Sequence, residues 1–80
     1  MKYVIFAFSS RAQAMKFYEN ARRLAPCSIV NTPREASVGC GLGVRASGEY
    51  YAALYSVLGF GGYDSFLGVF GFDGTRLVRL

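Results

Sequence analysis

A cysteine among glycines is the feature of this sequence most suited to chemistry. Cys40 lies between Gly39 and Gly41, and arginines stand on either side of this run at Arg34 and Arg45. The thiolate is the nucleophilic form of cysteine, and neighbouring cations and backbone N–H groups stabilise it. Glycine often marks a place where another molecule approaches the backbone closely. One interpretation is therefore a thiol presented to a partner, with these arginines and glycines binding the anion.

A structural role for Cys40 is the other interpretation, and composition alone favours it. A hairpin that turns at Pro33 would pair Ile29 with Val38 and Cys27 with Cys40. The two cysteines would then be small, buried and unreactive residues of the core. A bulge at one of the neighbouring glycines would instead turn the thiol outwards. The residues alone leave both arrangements open.

The elements that would position this stretch follow from hydrophobic periodicity. Alternating and β-branched runs predict strands at residues 2–8, 27–32, 36–45 and 65–72. Apolar stripes of helical spacing predict one helix between Ser10 and Pro26 and a second from Ser47 to the glycine-rich residues 59–62. Asp73 and Gly74 predict a turn into a short C-terminal edge strand.

This order, β-α-β-β-α-β, predicts the fold class. It is the α+β, ferredoxin-like split arrangement, a sandwich of an antiparallel sheet and two helices on one of its faces. A chain of 80 residues is expected to form a single domain over residues 1–80.

Composition and charge narrow the functional classes. The nine basic residues give a net charge of +4 but are scattered along the chain, which favours a solvated surface over a nucleic-acid site. With no histidine and only two cysteines, neither a metal site nor a cofactor is expected. No apolar run approaches the ~18 residues of a membrane span. The N-terminal stretch lacks the longer apolar region of a signal peptide, so a cytoplasmic location is expected.

The stretch "TPREASVGCGLGVR" resembles the "TPRE–S–SCGL–R" signature of small bacterial proteins described as selenium/sulfur (Se/S) carrier-like. The leading "YVIFAFSS", the helical "AMK" and the late "GVFGFDG" also fit this family. The positions that match the signature are Thr32, Pro33, Arg34, Glu35, Cys40, Gly41 and Arg45. Gly39 departs from the family, which commonly has serine there, and Cys27 is not a feature of the family.

The resemblance implies a function for the thiol. Cys40 would hold sulfur or selenium as a persulfide or selenosulfide. It would receive that atom from a donor protein such as a cysteine desulfurase and deliver it to an acceptor protein. Arg34 and Arg45 would hold the anion, whereas Glu35 has no assigned chemical role. A thiol carrier is expected rather than an enzyme that turns over substrate.

A non-catalytic interaction module is the first alternative function. The first and fourth predicted strands are apolar on both faces, although helices would cover only one face of the sheet. An uncovered apolar face is typical of an interface. A homodimer or larger assembly through that face or through an edge strand is therefore expected, and in this alternative Cys40 is a buried structural residue.

A single-stranded RNA-binding module is the second alternative. Ferredoxin-like RNA-binding domains stack bases on aromatic residues of the open sheet face. The candidate stacking residues are Tyr3, Phe6, Phe66, Phe70 and Phe72. The third predicted strand contains no aromatic residue, which is against this function, so nucleic acid is not expected as a partner.

Overall fold

The computed structural model describes residues 1–33 and 41–80. The predicted roles of Arg34, Glu35, Gly39 and Cys40 lie outside the described residues.

In the described residues, five antiparallel strands form the sheet that organises the chain. They are β1 (Tyr3–Phe8), β2 (Cys27–Asn31), β3 (Leu42–Ser47), β4 (Phe66–Phe72) and β5 (Leu77–Arg79). The strands lie in the order β2-β3-β1-β4-β5, and each neighbouring pair is antiparallel. The first four strands have the order of the split β-α-β arrangement, and β5 adds the predicted short strand at the edge beside β4. The α+β fold class is confirmed.

Two α-helices of the described residues connect these strands, and the first follows its sequence signals closely. Helix α1 spans Arg11–Ala21 and begins where expected, because the Gln13 N–H donates to the Oγ of the N-cap residue Ser10 (3.2 Å). Helix α2 is only Tyr51–Tyr55, between the 3-10 turns Gly48–Tyr50 and Ser56–Phe60. Within the described ranges, no helix combines the length and the apolar character required to cross a bilayer.

The second helical segment is more irregular than its apolar stripe predicts. Of that stripe, only Leu54 and Val57 are fully buried. These two residues are three positions apart. In 3-10 geometry residues i and i+3 lie on the same side, so both can be buried as they would be in an α-helix. Gly48 and Gly59 lie in the flanking turns, where glycine's poor helix propensity opposes extension of the helix.

The main core lies between the sheet and the two helices. The side chains of Val4, Phe6 and Phe8 on one face of β1 have no solvent exposure. Phe17 of α1 stacks on the Phe6 ring, with 5.1 Å between centroids, and packs at 5.2 Å from the Phe8 ring. Leu54 of α2 completes the same cluster. The alternation of β1 thus places its even-numbered residues under the helices and its odd-numbered residues on the other face.

We call that other side, turned away from α1 and α2, the opposite face. Although it carries apolar residues of β1 and β4, much of it is covered by the chain itself. Ala7 and Phe70 are fully buried and pack with Leu77. The Arg79 guanidinium lies 4.9 Å from the centroid of the Phe70 ring and donates to the Leu67 carbonyl (3.0 Å). A long cationic side chain therefore covers part of the surface that the sequence predicted to be bare.

The predicted register of the β2–β3 hairpin is wrong. Cys27 pairs with Ala46 and Ile29 with Val44. The ladder ends at Asn31 and Leu42, so residues 32–41 connect the two strands, where a tight turn at Pro33 was expected. The register still keeps the predicted faces, because the residues opposite Ile29 in the two registers, 38 and 44, are an even number of positions apart. Val44 therefore points into the core, as its parity predicted.

Candidate functional site

Gly41, the residue after Cys40 in the sequence, is buried against the end of β1. A Cβ atom at this position would lie 2.5 Å from the Phe8 carbonyl oxygen and 2.7 Å from the Oγ1 of Thr32. Backbone atoms of a central strand cannot move aside at low cost, so no larger residue fits here without rearrangement. We call the end of the sheet formed by Phe8, Asn31 and Gly41 the Gly41 edge.

The N-terminus of α1 lies at the Gly41 edge. Ser9 follows β1 directly, and its Cα would be 3.4 Å from a Cβ on Gly41. Ser10 caps the helix, and the exposed Arg11 is its first residue. The unpaired N–H groups of a first helical turn carry a partial positive charge and favour anions nearby. This edge is therefore electrostatically suited to a thiolate or another anion.

Thr32 and Pro33 are the first residues of the connection between β2 and β3. The Thr32 Oγ1 atom is inaccessible to solvent and makes no hydrogen bond with any residue of ranges 1–33 and 41–80. Its side chain faces Gly41. Two of the predicted motif positions, Thr32 and Gly41, are thus in contact at the edge of the sheet.

A hydrogen-bonded clamp joins α1 to the start of β4 at the same edge. The Oε1 atom of Gln13 accepts from the Ser65 N–H (2.9 Å) and from the Ser65 hydroxyl, and its Nε2 donates to Asp64. The Ser9 N–H donates to the Ser65 carbonyl (3.0 Å). The clamp fixes the helix N-terminus relative to the sheet. The sequence gives no signal for it, because its partners are 52 positions apart.

Arg45 is not brought beside the Gly41 edge. It lies four positions further along β3, which at ~3.3 Å per residue is a separation of about 13 Å. Its guanidinium carbon lies 4.1 Å from the centroid of the Tyr3 ring. Tyr3 pairs with Ser47, beyond Arg45 as seen from Gly41. The exposed guanidinium of Arg45 thus extends towards the other end of the sheet.

The second cysteine also lies at that other end. Cys27 is the first residue of β2, is half-buried, and packs against the main core. Burial raises the pKa of the Cys27 thiol above its ordinary value, although the positive charge of Arg22 partly opposes this effect. A thiol with a raised pKa is mostly protonated at neutral pH and is a poor nucleophile. Cys27 therefore has the properties of a structural cysteine.

The aromatic residues proposed for base stacking are mostly occupied within the protein. Phe6 is fully buried and Phe66 packs against the main core. Phe70 is 1% exposed beneath Arg79. Tyr3 and Phe72 lie on the opposite face, but they stack on each other with centroids 5.0 Å apart. The sheet therefore does not present a row of free aromatic faces of the kind that RNA-binding domains use.

Possible metal ligands are dispersed over the described part of the chain. No group of three or more histidine, cysteine, aspartate or glutamate residues there has the proximity needed to hold a metal ion.

Comparison with known families supplies one match. A family model described as "Putative Se/S carrier protein-like" matches residues 2–63. The matched range includes β1, α1, β2, β3 and the segment between β2 and β3 that contains Cys40. No curated protein and no solved structure matches the chain in the corresponding comparisons.

Proposed function

We propose that this chain, which belongs to the Se/S carrier-like family, carries sulfur or selenium on Cys40 and passes it from a donor protein to an acceptor. The observation that carries the proposal is the extent of the family match, residues 2–63, a range within which Cys40 lies. The protein would act as a carrier whose thiol is regenerated in each cycle.

The chemistry of loading and release is two successive exchange reactions. The Cys40 thiolate attacks the outer sulfur of a persulfide on a donor such as a cysteine desulfurase. A bond forms between the Cys40 Sγ and that sulfur, the sulfur–sulfur bond of the donor breaks, and the donor leaves as a thiolate. An acceptor thiolate then attacks the same outer sulfur and releases the Cys40 thiolate. The oxidation level is conserved overall, and no external oxidant is required.

Two features of the Gly41 edge support this chemistry. The N-terminus of α1 supplies a partial positive charge that does not depend on a side chain. The buried Gly41 keeps the residue that follows the thiol close to the end of β1. A thiol held near a helix N-terminus has a lowered pKa and a larger thiolate fraction at neutral pH.

The test is sulfur loading followed by intact-mass measurement. The protein is incubated with a cysteine desulfurase and cysteine, and we expect a gain of one sulfur atom that dithiothreitol removes. Cys40→Ser should abolish the gain, whereas the matched control Cys27→Ser should retain it. An equal gain in the Cys40→Ser variant, or a gain lost only in Cys27→Ser, would contradict the proposal.

A further inference from the structure

A groove on the opposite face lies at the far end of the sheet from Gly41. It has a volume of about 640 Å³ and is open to solvent. Its lining includes two cations, two serine hydroxyls and two aromatic rings, from Lys2, Arg45, Ser28, Ser47, Tyr3 and Phe72. We call it the Arg45 groove.

The aromatic residues give the groove a fixed apolar wall. The rings of Tyr3 and Phe72 are nearly parallel, with an angle of 16° and 5.0 Å between centroids. Because β1 lies between β3 and β4, Phe72 and Arg45 approach Tyr3 from opposite sides. The guanidinium at 4.1 Å from the Tyr3 centroid is thereby held in a cation–π contact. This contact favours one position of the exposed Arg45 side chain.

The polar groups of the groove have few partners within the protein. Among residues 1–33 and 41–80, the one ion pair joins Arg22 to Glu19, so no described carboxylate neutralises Arg45. The hydroxyls of Ser28 and Ser47 make no hydrogen bond with other described side chains or backbone groups. Both serines are exposed. None of the lining residues is acidic. The groove therefore offers hydrogen-bond donors and positive charge together.

We propose that the Arg45 groove binds a small organic anion that has a phosphate or carboxylate head and an apolar body. Arg45 and Lys2 attract the head, and guanidinium donors form charge-assisted hydrogen bonds with its oxygens. The apolar body packs against the exposed edges of Tyr3 and Phe72. A second copy of this chain is a poorer occupant, because two such grooves face to face would oppose cations with cations.

The groove is separate from the thiol chemistry. Arg45 lies about 13 Å along β3 from Gly41, and its side chain is directed to the other end of the sheet. Ligand binding in the groove is therefore expected to occur equally well in a Cys40→Ser variant. This expectation separates the two proposals experimentally, since binding is measured without sulfur transfer.

The experiment is a titration followed by ¹H–¹⁵N correlation spectra, with phenyl phosphate, benzoate, inorganic phosphate and phenol as probes. Saturable shifts are expected for the amides of Tyr3, Ser28, Arg45 and Ser47. Phenyl phosphate and benzoate should bind more tightly than inorganic phosphate and phenol. The ratio of the dissociation constants of phenyl phosphate and benzoate identifies the preferred head group. Arg45→Gln should weaken binding at least about tenfold, as loss of a charge-assisted hydrogen bond does.

The matched control is Arg11→Gln, which removes the same charge from the Gly41 edge. It should change affinity by less than about twofold, because exposed charges that far away are screened. If Arg45→Gln loses the dispersed spectrum of the folded protein, Lys2→Gln is the second variant. It should also bind phenyl phosphate and benzoate more weakly. The absence of saturable shifts, shifts confined to other residues, or equal weakening by Arg11→Gln would overturn the proposal.

Discussion

The two ends of the sheet carry positive charge in different ways. At the Gly41 edge the donors are backbone N–H groups of α1, held in place by the clamp of Gln13 and Ser65. In the Arg45 groove they are the side-chain cations of Lys2 and Arg45, and the Arg45 guanidinium lies over the Tyr3 ring. Backbone donors are rigid and suit the stabilisation of a group that stays in place. Exposed side chains adapt to ligands that bind reversibly. Salt screens the electrostatic attraction of these exposed charges more strongly.

The distance along β3 also bears on the motif, because its positions Gly41 and Arg45 lie about 13 Å apart. Cys40 and Arg45 are near neighbours in the sequence, and the resemblance implies that both act on one anion. A strand, however, separates successive residues by ~3.3 Å, so a few positions along β3 span much of the sheet. Gly41 and Arg45 therefore lie towards opposite ends of the sheet, although the sequence places them close together.

The largest expected effect is that of Gly41→Ala. A Cβ at this position would overlap the Phe8 carbonyl oxygen at 2.5 Å, and such overpacking typically costs ~1–3 kcal/mol. Denaturant unfolding would measure the loss. The matched control is Gly59→Ala, whose added Cβ would meet no atom within 4 Å and should leave stability unchanged or slightly higher. Equal stability of the two variants would show that the Gly41 edge is not tightly packed.

A smaller effect is expected for Ser10→Ala. The variant loses the hydrogen bond from the Gln13 N–H to the Ser10 Oγ, and removal of an N-cap costs ~0.5–2 kcal/mol. If the α1 N-terminus stabilises the Cys40 thiolate, the same variant should also raise the thiol pKa. The pH dependence of alkylation in a Cys27→Ser background measures this change. Ser56→Ala, which also removes a helical hydroxyl but lies in the Ser56–Phe60 turn, should leave that pKa unaltered.

How much of the fold was predictable depends on how local its signals are. The alternation in β1 and the stripe of α1 are long and regular, so this strand and this helix were predicted correctly, and Phe6, Phe8 and Phe17 pack together between them. The β2–β3 register depends on the length of the connection between the strands, and no pattern in the sequence specifies that length. The short α2 reflects glycines that compete with an otherwise helical stripe.

The candidate site was predictable only where its residues adjoin the motif. Thr32 and Gly41 were both identified from the sequence, and the structure places them in contact. The clamp between Gln13 and Ser65 joins distant parts of the chain and leaves no local pattern. The stack of Arg45 on Tyr3 arises from strand pairing, which the sequence predicted only in outline. The predicted homo-oligomer stays a prediction, which light scattering at micromolar concentration would test.

The thiol of Cys27, at the end of the sheet away from Gly41, should react slowly. Because burial raises the pKa of Cys27, the midpoint of its alkylation rate against pH in a Cys40→Ser variant should lie above the ordinary thiol pKa of about 8.5. The unfolded chain ionises this thiol at a lower pH than the folded chain does. Its contribution to stability is therefore fully present below the ordinary pKa and is lost as the pH rises through the raised value. Rapid alkylation of Cys27 at neutral pH would contradict this assignment.

The smallest expected effect concerns the turn between β4 and β5, beside the Arg45 groove. The carboxylate of Asp73 accepts from the N–H groups of Thr75 (2.8 Å) and Arg76 (3.0 Å), and these bonds lower the pKa of Asp73. A lowered pKa stabilises the fold above the ordinary value of about 3.9, and that contribution disappears as the pH falls through the lowered value. In ¹H–¹⁵N spectra, the signals of the Thr75 and Arg76 amides should shift together as the pH falls through that acidic range.

Asp73→Ala tests whether this turn supports the groove. The variant removes both acceptor contacts, so the acid-dependent movement of the Thr75 and Arg76 amides should vanish. Phe72 precedes the turn and lines the groove, so phenyl phosphate should bind slightly more weakly. Sulfur loading on Cys40 should keep its rate, since the turn lies away from the Gly41 edge. A loading defect as large as the binding defect would show that the two ends are coupled through the sheet.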